Sequence, residues 1–509
     1  MRVSPVVVLI AVSLLAPALA QTGAPFATEE AKLTAPVLVP GASFGEAVAM
    51  SEDRAVVGVP RGDAGATLPG VVHVYVRSGS TWTLETTLAP SDLTGGERFG
   101  TSVDIDGDRI IVGAPFDGPG IQRGSAYVFV RSGGTWTQEA KLAAPDGGNG
   151  LVFGSSVAIS GDRAAAGSPL YSDGGSQIGS VYTFSRAGGA WAQTAKITLG
   201  SAAQEFDYFG TALDMSGDRL VVGAPSNTTA NPGRAFVYQD GASGWALEDE
   251  LSPNTSAVLQ DFGAAVALDG GVAVVGDQRA DLPGADRGGA VFVFGAASSP
   301  RSAPWFQFGE LVPSAPADLA LFGGAVAVTT TADAGLQVLV GAESDDVTAG
   351  AAYLHTLDGS VFAERARFTA SDATNNARFG SAVAFGGSRA LIGARAADAG
   401  TVNNPGAAYV LAGLLATTGE AAPSAAALSA PRPNPTRGAA ALSLTLDAPQ
   451  AVRATLHDAL GRTVAVLHDG VAAGTVALSV DARGLAPGVY LVRVAGERLS
   501  ETRRLTVAR

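Results

Sequence analysis

Cysteine is absent from the 509-residue sequence, and histidine and lysine are scarce, with four and three residues. Without cysteine, neither disulfides nor thiolate metal sites can stabilise the fold, so we expect a large buried core. The histidines do not cluster, which gives no support for a zinc centre. The net charge of −14 disfavours nucleic acid as a partner, because its phosphates would be repelled.

Long apolar runs are also missing, except near the N-terminus. Arg2 precedes an apolar run at Val6–Leu15, and small residues follow up to Ala20. This pattern is typical of a signal peptide, and the run is shorter than the roughly 20 residues that a membrane-spanning helix needs. We predict that residues 1–20 are a signal peptide removed after Ala20 and that the protein is exported, with no transmembrane segment.

Glycine is abundant, with 66 residues, and the dipeptide Phe-Gly recurs throughout the chain. Units begin near Phe44, Phe99, Phe153, Phe209, Phe262, Phe322 and Phe379. Within each unit, apolar residues alternate along short runs that end in glycine-rich turns, which predicts four short strands. Seven such units predict an all-β fold in which residues 24–415 form a seven-bladed β-propeller with four-stranded blades.

Tryptophan recurs at one place in the repeat, six residues before an apolar residue. The five are Trp82, Trp136, Trp191, Trp245 and Trp305. Exposed tryptophans could stack on sugars, but periodic placement favours a structural role, with a buried aromatic ring in each blade.

The seventh unit lacks its fourth strand, since no strand-like run from an aromatic residue to a Lys-Leu pair follows Leu415. The segment Thr28–Pro36 reads TEEAKLTAP, which matches TQEAKLAAP at Thr137–Pro145. We predict that this N-terminal segment supplies the outer strand of the last blade and so closes the ring, because an open ring would leave a strand edge unpaired.

The motifs FGTSVDIDGDRIIVGAP and FGTALDMSGDRLVVGAP resemble the FG-GAP repeat of integrin α-chain propellers, in particular its bacterial form. The resemblance covers about Thr28 to Leu415. It implies an extracellular binding or adhesion protein, although a fold does not by itself determine function.

The resemblance raises the question of a calcium site at Asp104, Asp106 and Asp108. A calcium loop must supply several oxygen ligands from one flexible segment. Here two strands occupy most of the span between Phe99 and Gly113, so only a short turn remains at Asp106–Arg109. We therefore expect a two-residue hairpin with no cofactor, and keep these three aspartates as the alternative, weak calcium candidates.

Variable loops between the second and third strands, and between units, are predicted to lie on one face of the propeller. Ligand-binding residues often lie on such loops above a rigid scaffold. The candidate binding residues are Asp117, Tyr171, Asp173, Asp207, Tyr208, Asp345 and Asp346. The tripeptide RGD at Arg61–Asp63 is weak evidence for adhesion. We predict no catalytic residues.

After a small-residue linker at 416–430, residues 431–509 predict a small Ig-like β-sandwich. The elements PNP, DALGR and GLAPGVYLV strongly resemble the C-terminal sorting domain of the bacterial type IX secretion system. The resemblance implies recognition at the outer membrane, removal of the tail, and release or attachment of the protein at the cell surface.

Three functions remain open at this point. The first is a non-enzymatic surface or secreted adhesion protein that binds a glycan or a protein. The second is a hydrolase or lyase that acts on an extracellular polysaccharide, and the third is a structural component of a surface layer.

Overall fold

The structure is a computed structural model of the chain. It describes residues 27–508 apart from 63–67, 119–122, 147–150, 174–175, 227–230, 256–258, 297–304, 332–334, 346–348, 359–360, 415–426, 429–431, 433, 435, 458–461 and 497–498. The predicted signal peptide and most of the predicted linker therefore lie outside the described residues. No helix long and apolar enough to cross a membrane is found in the part of the chain that is described.

Repeated four-stranded antiparallel sheets account for residues 28–412. Strand β1 is Thr28–Leu33. Sheet 1 contains β2 (Val48–Ser51), β3 (Arg54–Val59), β4 (Val71–Ser78) and β5 (Thr81–Leu88). Sheet 2 contains β6 (Ser102–Asp106), β7 (Arg109–Ala114), β8 (Ser125–Ser132) and β9 (Thr135–Leu142). Sheet 3 contains β10 (Val157–Ser160), β11 (Arg163–Ser168), β14 (Ser180–Ala187) and β15 (Ala190–Ile197), with a small hairpin of β12 (Ser172–Asp173) and β13 (Ser176–Gln177) between β11 and β14.

The later sheets follow the same order after a short 3₁₀ helix at Gly200–Ala202. Sheet 4 contains β16 (Ala212–Ser216), β17 (Arg219–Ala224), β18 (Arg234–Gly241) and β19 (Gly244–Leu251). Sheet 5 contains β20 (Ala265–Asp269), β21 (Val272–Asp277), β22 (Ala290–Ala296) and β23 (Trp305–Leu311). Sheet 6 contains β24 (Phe322–Thr331), β25 (Gly335–Ala342), β26 (Ala351–Asp358) and β27 (Val361–Phe368). Sheet 7 contains β28 (Phe379–Gly386), β29 (Arg389–Ala394), β30 (Ala407–Ala412) and, as its outer strand, β1.

The N-terminal strand completes sheet 7, as the sequence match predicts. β1 pairs antiparallel with β30, from Thr28 opposite Ala412 to Leu33 opposite Ala408. Its Glu30 accepts hydrogen bonds from Arg389 in sheet 7 at 2.6 Å and from Arg77 in sheet 1 at 2.9 Å. The strand therefore fills the outer position of one sheet and contacts the next.

The Phe-Gly dipeptides lie where successive sheets approach each other. All seven phenylalanines are almost completely buried. Phe99, for example, packs edge to face against Tyr127, with ring centroids 5.6 Å apart. A Cβ atom on Gly113 would lie 1.9 Å from the carbonyl oxygen of Gly154 in the next unit, so no larger residue fits there.

Each first strand contacts the first strand of the next sheet, and β28 of sheet 7 contacts β2 of sheet 1. This series of all-β sheets is consistent with a propeller.

In six of the seven units, all except the sixth, the first two strands form tight hairpins. In sheet 2, Asp106 pairs with Arg109, which leaves Gly107 and Asp108 as the turn, and Gly107 has a φ of +58°. This is the two-residue hairpin that the sequence predicts. In the first unit Glu52 adopts the positive φ instead of glycine, at +43°.

The C-terminal region forms one five-stranded antiparallel sheet. Its strands are β31 (Ala427–Leu428), β32 (Ala439–His457), β33 (Thr463–Asp481), β34 (Gly488–Gly496) and β35 (Leu499–Val507). The order is β31-β32-β34-β35, and β33 pairs with β32. Buried apolar residues such as Leu444, Val492 and Leu505 form its core.

Candidate functional site

Three of the five predicted binding aspartates are buried and act as internal braces, because they hold loops in place through hydrogen bonds within the protein. They are Asp117, Asp207 and Asp345. Asp117 is buried and accepts hydrogen bonds from the Tyr127 hydroxyl and the Lys141 amine, both at 2.8 Å. Burial raises the pKa of Asp117, but the bonds from Lys141, Ser125 and Tyr127 outweigh it, so the pKa lies below its usual value. These contacts hold the loop of sheet 2 on its own strands.

Asp207 is fully buried and is held by three donors: Asn231 at 3.0 Å, Arg234 at 2.6 Å and the backbone of Gln204 at 2.6 Å. Asp345 is also buried, where it accepts hydrogen bonds from the Tyr353 hydroxyl and from the Arg367 guanidinium at 3.0 Å. Sequence reasoning treated these aspartates as exposed loop residues, whereas their carboxylates are largely withdrawn from solvent.

The other predicted residues are scattered over several loops. Tyr171 is half-buried, with the Lys196 amine 3.6 Å from its ring centroid, and the half-buried Tyr208 lies against Phe206. Asp173 ends strand β12, and its side chain lies outside the described residues, as does the whole of Asp346. The tripeptide RGD is described only as far as Gly62. Among the described side chains of this set, only that of Asp345 lines the cleft between sheets 5 and 6.

A cleft of about 900 Å³ lies between the loops of sheets 5 and 6. One wall is formed by Gln278, Arg279 and Arg287 from the loop after β21. The other walls are residues 317–319 and 321, between β23 and β24, and Glu343–Asp345 after β25. Clefts of this volume are typical of sites for small ligands.

Two buried carboxylates fix the wall that carries Gln278 and Arg279. Asp277 accepts hydrogen bonds from the backbone N–H groups of Gln260, Asp261 and Arg279, at 2.9–3.1 Å. Burial raises the pKa of Asp277 to about 6, and these three donors limit the rise. Asp261 accepts a hydrogen bond from the Gln278 amide at 2.8 Å, and burial raises its pKa as well.

Glu343 organises the opposite wall. It accepts hydrogen bonds from Arg395 at 3.0 Å and from Arg378 at 2.9 Å, both from the seventh unit. Burial lowers the pKa of Arg395, but its hydrogen bonds to Glu343 outweigh this and raise it overall. The Glu343 carboxylate is therefore compensated by two guanidinium groups.

The cleft lies in a part of the chain where the sequence departs from the repeat. In units 1 to 4 a proline directly follows the second strand, at Pro60, Pro115, Pro169 and Pro225, whereas units 5 to 7 have Gln278, Glu343 and Arg395 at that place. In addition, Ala315 occupies the place of Asp92, counted from the same distance before Phe-Gly. In sheet 2, Asp92 pairs with Lys141 at 2.6 Å and with Tyr127 at 3.2 Å. These sequence differences were the available signal for Gln278 and Glu343, whereas none marked Arg279 and Arg287; the sequence analysis missed all four.

The calcium candidates make other contacts. Asp104 accepts backbone hydrogen bonds from Ile105 at 2.8 Å and from Ile159 of the next sheet at 2.7 Å. Asp106 bonds to the backbone of Gly161, and Asp108 lies 3.9 Å from Arg131. Burial raises the pKa of Asp104 to about 6. Asp214 makes the equivalent bonds to Met215 and Leu268, and burial raises its pKa to about 8.

These aspartates act as clamps between neighbouring first strands. Among the described residues, no group of three acidic or histidine side chains is arranged to hold a metal ion.

The tryptophans lie on the fourth strands, at the boundaries between sheets. Trp136 and Trp305 are buried, and Trp82, Trp191 and Trp245 are half-buried. The indole N–H of Trp136 donates to Glu85 of the previous sheet at 3.1 Å, and that of Trp191 donates to Glu139 at 2.9 Å. This position favours a structural role over stacking on a sugar.

Two further features bear on catalysis. Gly41–Gly45 reads G-x-S-x-G, but no helix follows Ser43 as it does in a hydrolase nucleophile elbow, and its positive φ recurs at Arg98 and Arg378 before Phe-Gly. His355 is buried, and burial lowers its pKa to about 4, so the imidazole is neutral at pH 7.

Comparisons with known proteins agree with the repeat. The FG-GAP repeat family matches residues 27–75, 82–129, 136–184, 191–238, 245–294 and 362–411. The secretion system C-terminal sorting domain matches residues 432–508, which indicates export, an interaction with the type IX secretion machinery, and either attachment to the cell surface or secretion. The matched ranges leave out 295–361, where two walls of the cleft lie.

Structural and curated comparisons add little. A chain of the structure titled "Crystal Structure of Mitotic Checkpoint Complex" aligns with a TM-score of 0.45 at 12% identity, covering 79% of this chain and 98% of that one. No curated protein sequence matches the chain. The six repeats nevertheless cover more than half of the chain, which therefore belongs to the FG-GAP repeat family and carries a type IX sorting domain at its C-terminus.

Proposed function

We propose that the protein is a non-enzymatic binding protein of the cell surface or of the secreted fraction, and that it takes a glycan or protein ligand in the cleft between sheets 5 and 6. The observation that carries the proposal is the cleft itself. It lies on the loops where units 5 to 7 depart from the repeat, while the surrounding sheets keep it. Binding sites tend to be built from variable loops on a regular scaffold.

The scaffold we propose is a seven-bladed propeller closed by β1. Support comes from the contacts of each first strand with the next, from β28 back to β2. Close contacts between glycines also join sheet 7 to the first unit. A Cβ atom on Gly393 would lie 2.1 Å from the carbonyl oxygen of Gly45.

For the tail we propose an Ig-like sandwich that the secretion machinery recognises and removes. The register shift in β32 between Leu446 and Gln450 supports this, because it would allow one strand to contribute to two layers.

Binding can be tested with the purified full chain on a glycan array and against cell-surface proteins. Ala317→Trp would place an indole in the cleft, and Ala242→Trp, on the exposed turn between β18 and β19, is the matched control. We expect a ligand that binds the wild type and the control but not Ala317→Trp. A ligand that binds all three equally, or no ligand at all, would contradict the proposal.

A reducing-end assay on every glycan that binds separates this function from its alternative. Release of new reducing ends would identify a polysaccharide hydrolase or lyase on the same scaffold. Absence of any ligand would favour a structural component of the surface layer. We propose no cofactor for binding.

A further inference from the structure

Two arginines of the cleft make no side-chain hydrogen bond to any described residue, although acidic residues lie near both of them. The Arg279 side chain is 48% exposed, and its Nε lies 3.8 Å from the nearest Asp261 oxygen, which is beyond hydrogen-bond distance. That oxygen already accepts a hydrogen bond from Gln278. Arg287 is exposed, and among the described residues its side chain has no hydrogen-bond partner. Their guanidinium donors are therefore available to a ligand.

The main chain holds both arginines in place. The backbone N–H of Arg279 donates to the buried Asp277 at 3.0 Å. The backbone N–H of Arg287 donates to Asp281 at 3.0 Å, and Arg287 has a φ of +52°, a conformation that side chains other than glycine seldom adopt. A site whose backbone is fixed in advance loses less conformational entropy when a ligand binds.

Two carboxylates on the other walls are compensated by arginines outside the cleft. Glu343 accepts hydrogen bonds from Arg378 and Arg395, and Asp345 from Arg367. Asp318 accepts the backbone N–H of Asp286 at 2.9 Å through one oxygen. The charges of Glu343 and Asp345 are therefore compensated, whereas Asp281 and Asp286 interact with the charge of Arg287 and offset part of its attraction for an anion.

We propose that the ligand is a short acidic saccharide whose carboxylate is bound by Arg279 and Arg287. This inference rests on the proposed function and specifies its ligand. Arginine binds planar carboxylates with two parallel hydrogen bonds, which gives both strength and orientation. The remaining lining suits the rest of a sugar: Asp318 and Ser344 can bond hydroxyl groups, and Leu319, which is 53% exposed, can cover a C–H face.

Two observations favour a saccharide over an acidic peptide, and a short one over a polymer. The cleft is lined by turns and loops, so no strand edge is offered with which an extended peptide could pair. The net charge of −14 repels a long polyanion at a distance, whereas a single carboxylate can still reach the arginines.

The test is calorimetric titration of the full chain with a uronic-acid trisaccharide, its carboxyl-reduced neutral analogue, and an acidic tripeptide. We expect the trisaccharide to bind at least about tenfold more tightly than either comparator, as loss of a charge-assisted arginine pair predicts. Arg279→Ala and Arg287→Ala should each weaken binding by about tenfold, and Arg279→Lys should restore only part of it. Arg483→Ala, at an exposed arginine in the turn after β33, is the matched control and should bind like the wild type.

Melting curves of all variants exclude unfolding as the cause of lost binding. Equal affinity for the neutral analogue, or unchanged affinity in the two arginine variants, would overturn the acidic-saccharide inference and leave the binding function intact. Tighter binding of the tripeptide would overturn it in favour of a protein ligand. If none of the three binds, the inference fails, and the array alone decides the broader function.

Discussion

Two boundaries between neighbouring sheets have the same strand arrangement but differ in the side-chain contacts that hold them together. One lies between sheets 1 and 2, and the other between sheets 5 and 6. At the first, Glu85 accepts hydrogen bonds from Arg54 at 3.2 Å, from Arg131 at 2.8 Å and from the indole of Trp136 at 3.1 Å. At the second, Phe308 packs against Phe362, with ring centroids 5.8 Å apart.

The loops next to these boundaries also differ, because polar side chains are hydrogen-bonded to each other at the first and leave a cleft at the second. Above the first, Asp92, Tyr127 and Lys141 fill the space with a hydrogen-bonded cluster, while above the second Ala315 takes the place of Asp92 and the cleft of about 900 Å³ opens. A smaller cavity of about 260 Å³ lies beside Asp117 and Lys141, between the loops of sheets 2 and 3. The cleft therefore accompanies the loss of one hydrogen-bonded brace from the loops between two sheets.

Removal of Thr28–Pro36 should have the largest effect, because it takes away the outer strand of sheet 7 together with the Glu30 brace. Several backbone hydrogen bonds, each worth about 1 kcal/mol, are lost, which corresponds to a fall in melting temperature of roughly 10 °C or more. Calorimetry checks this, with Glu30→Ala as the control that removes the ion pairs but keeps the strand. An unchanged melt would show that β1 does not support sheet 7.

Phe362→Ala should loosen the aromatic boundary and cost about 2 kcal/mol, less than a fully buried phenylalanine would, because the ring is half-buried. Phe306→Ala is the matched control, since that ring is 52% exposed and its loss should cost under about 0.5 kcal/mol. Denaturant unfolding measures both. Equal costs would mean that the Phe308–Phe362 contact does not hold the two sheets together.

Glu85→Ala should cost about 1–3 kcal/mol by leaving Arg54, Arg131 and the Trp136 indole without their acceptor. Burial raises the pKa of Glu85, but the bonds from Trp136 and Arg131 outweigh it and the pKa is lowered overall. A lowered pKa stabilises the folded state above the unfolded value near 4.5, and this contribution is lost as the pH falls through the folded value.

Hydrogen exchange between pH 3 and pH 6 can separate the two boundaries. Acid should increase exchange in β5 and β9, next to Glu85, before it does so in β23 and β27, which the aromatic contact joins. The reverse order would contradict the assignment of the first boundary to ion pairs.

Ala315→Asp should give the boundary between sheets 5 and 6 the carboxylate that Asp92 supplies at the boundary between sheets 1 and 2. The new carboxylate would face Tyr353 and Arg367, which occupy the places of Tyr127 and Lys141, and we expect a gain of roughly 0.5 kcal/mol because the site is exposed. The same change should weaken ligand binding by narrowing the cleft. Stronger binding in this variant would argue against the comparison.

Calcium should have the smallest effect. Both carboxylate oxygens of Asp104 already accept backbone hydrogen bonds, so we expect calcium and chelator to give melting temperatures within about 1 °C of each other. A shift of many degrees would instead indicate a metal site at the hairpin turns.

Much of the architecture could be predicted from the sequence because it is repeated. The Phe-Gly interval, the hairpin at Asp106–Arg109 and the match of Thr28–Pro36 to a fourth strand all follow from periodic residues. The site could not be predicted in the same way. Asp117, Asp207 and Asp345 have loop-like neighbours in the chain, and only their spatial partners, Lys141, Arg234 and Arg367, reveal that they are internal braces.

The pairing of β1 with β30 also sets the order in which a newly made chain can be completed. Thr28 is among the first residues of the described chain, yet its partner, Ala412, is synthesised nearly four hundred residues later. A chain that stops before Ala407 would keep a permanently exposed strand edge, which is prone to aggregate. The sorting domain begins only after that point, at residue 432. Every chain that includes the sorting domain therefore also includes β30, the strand with which β1 pairs in sheet 7.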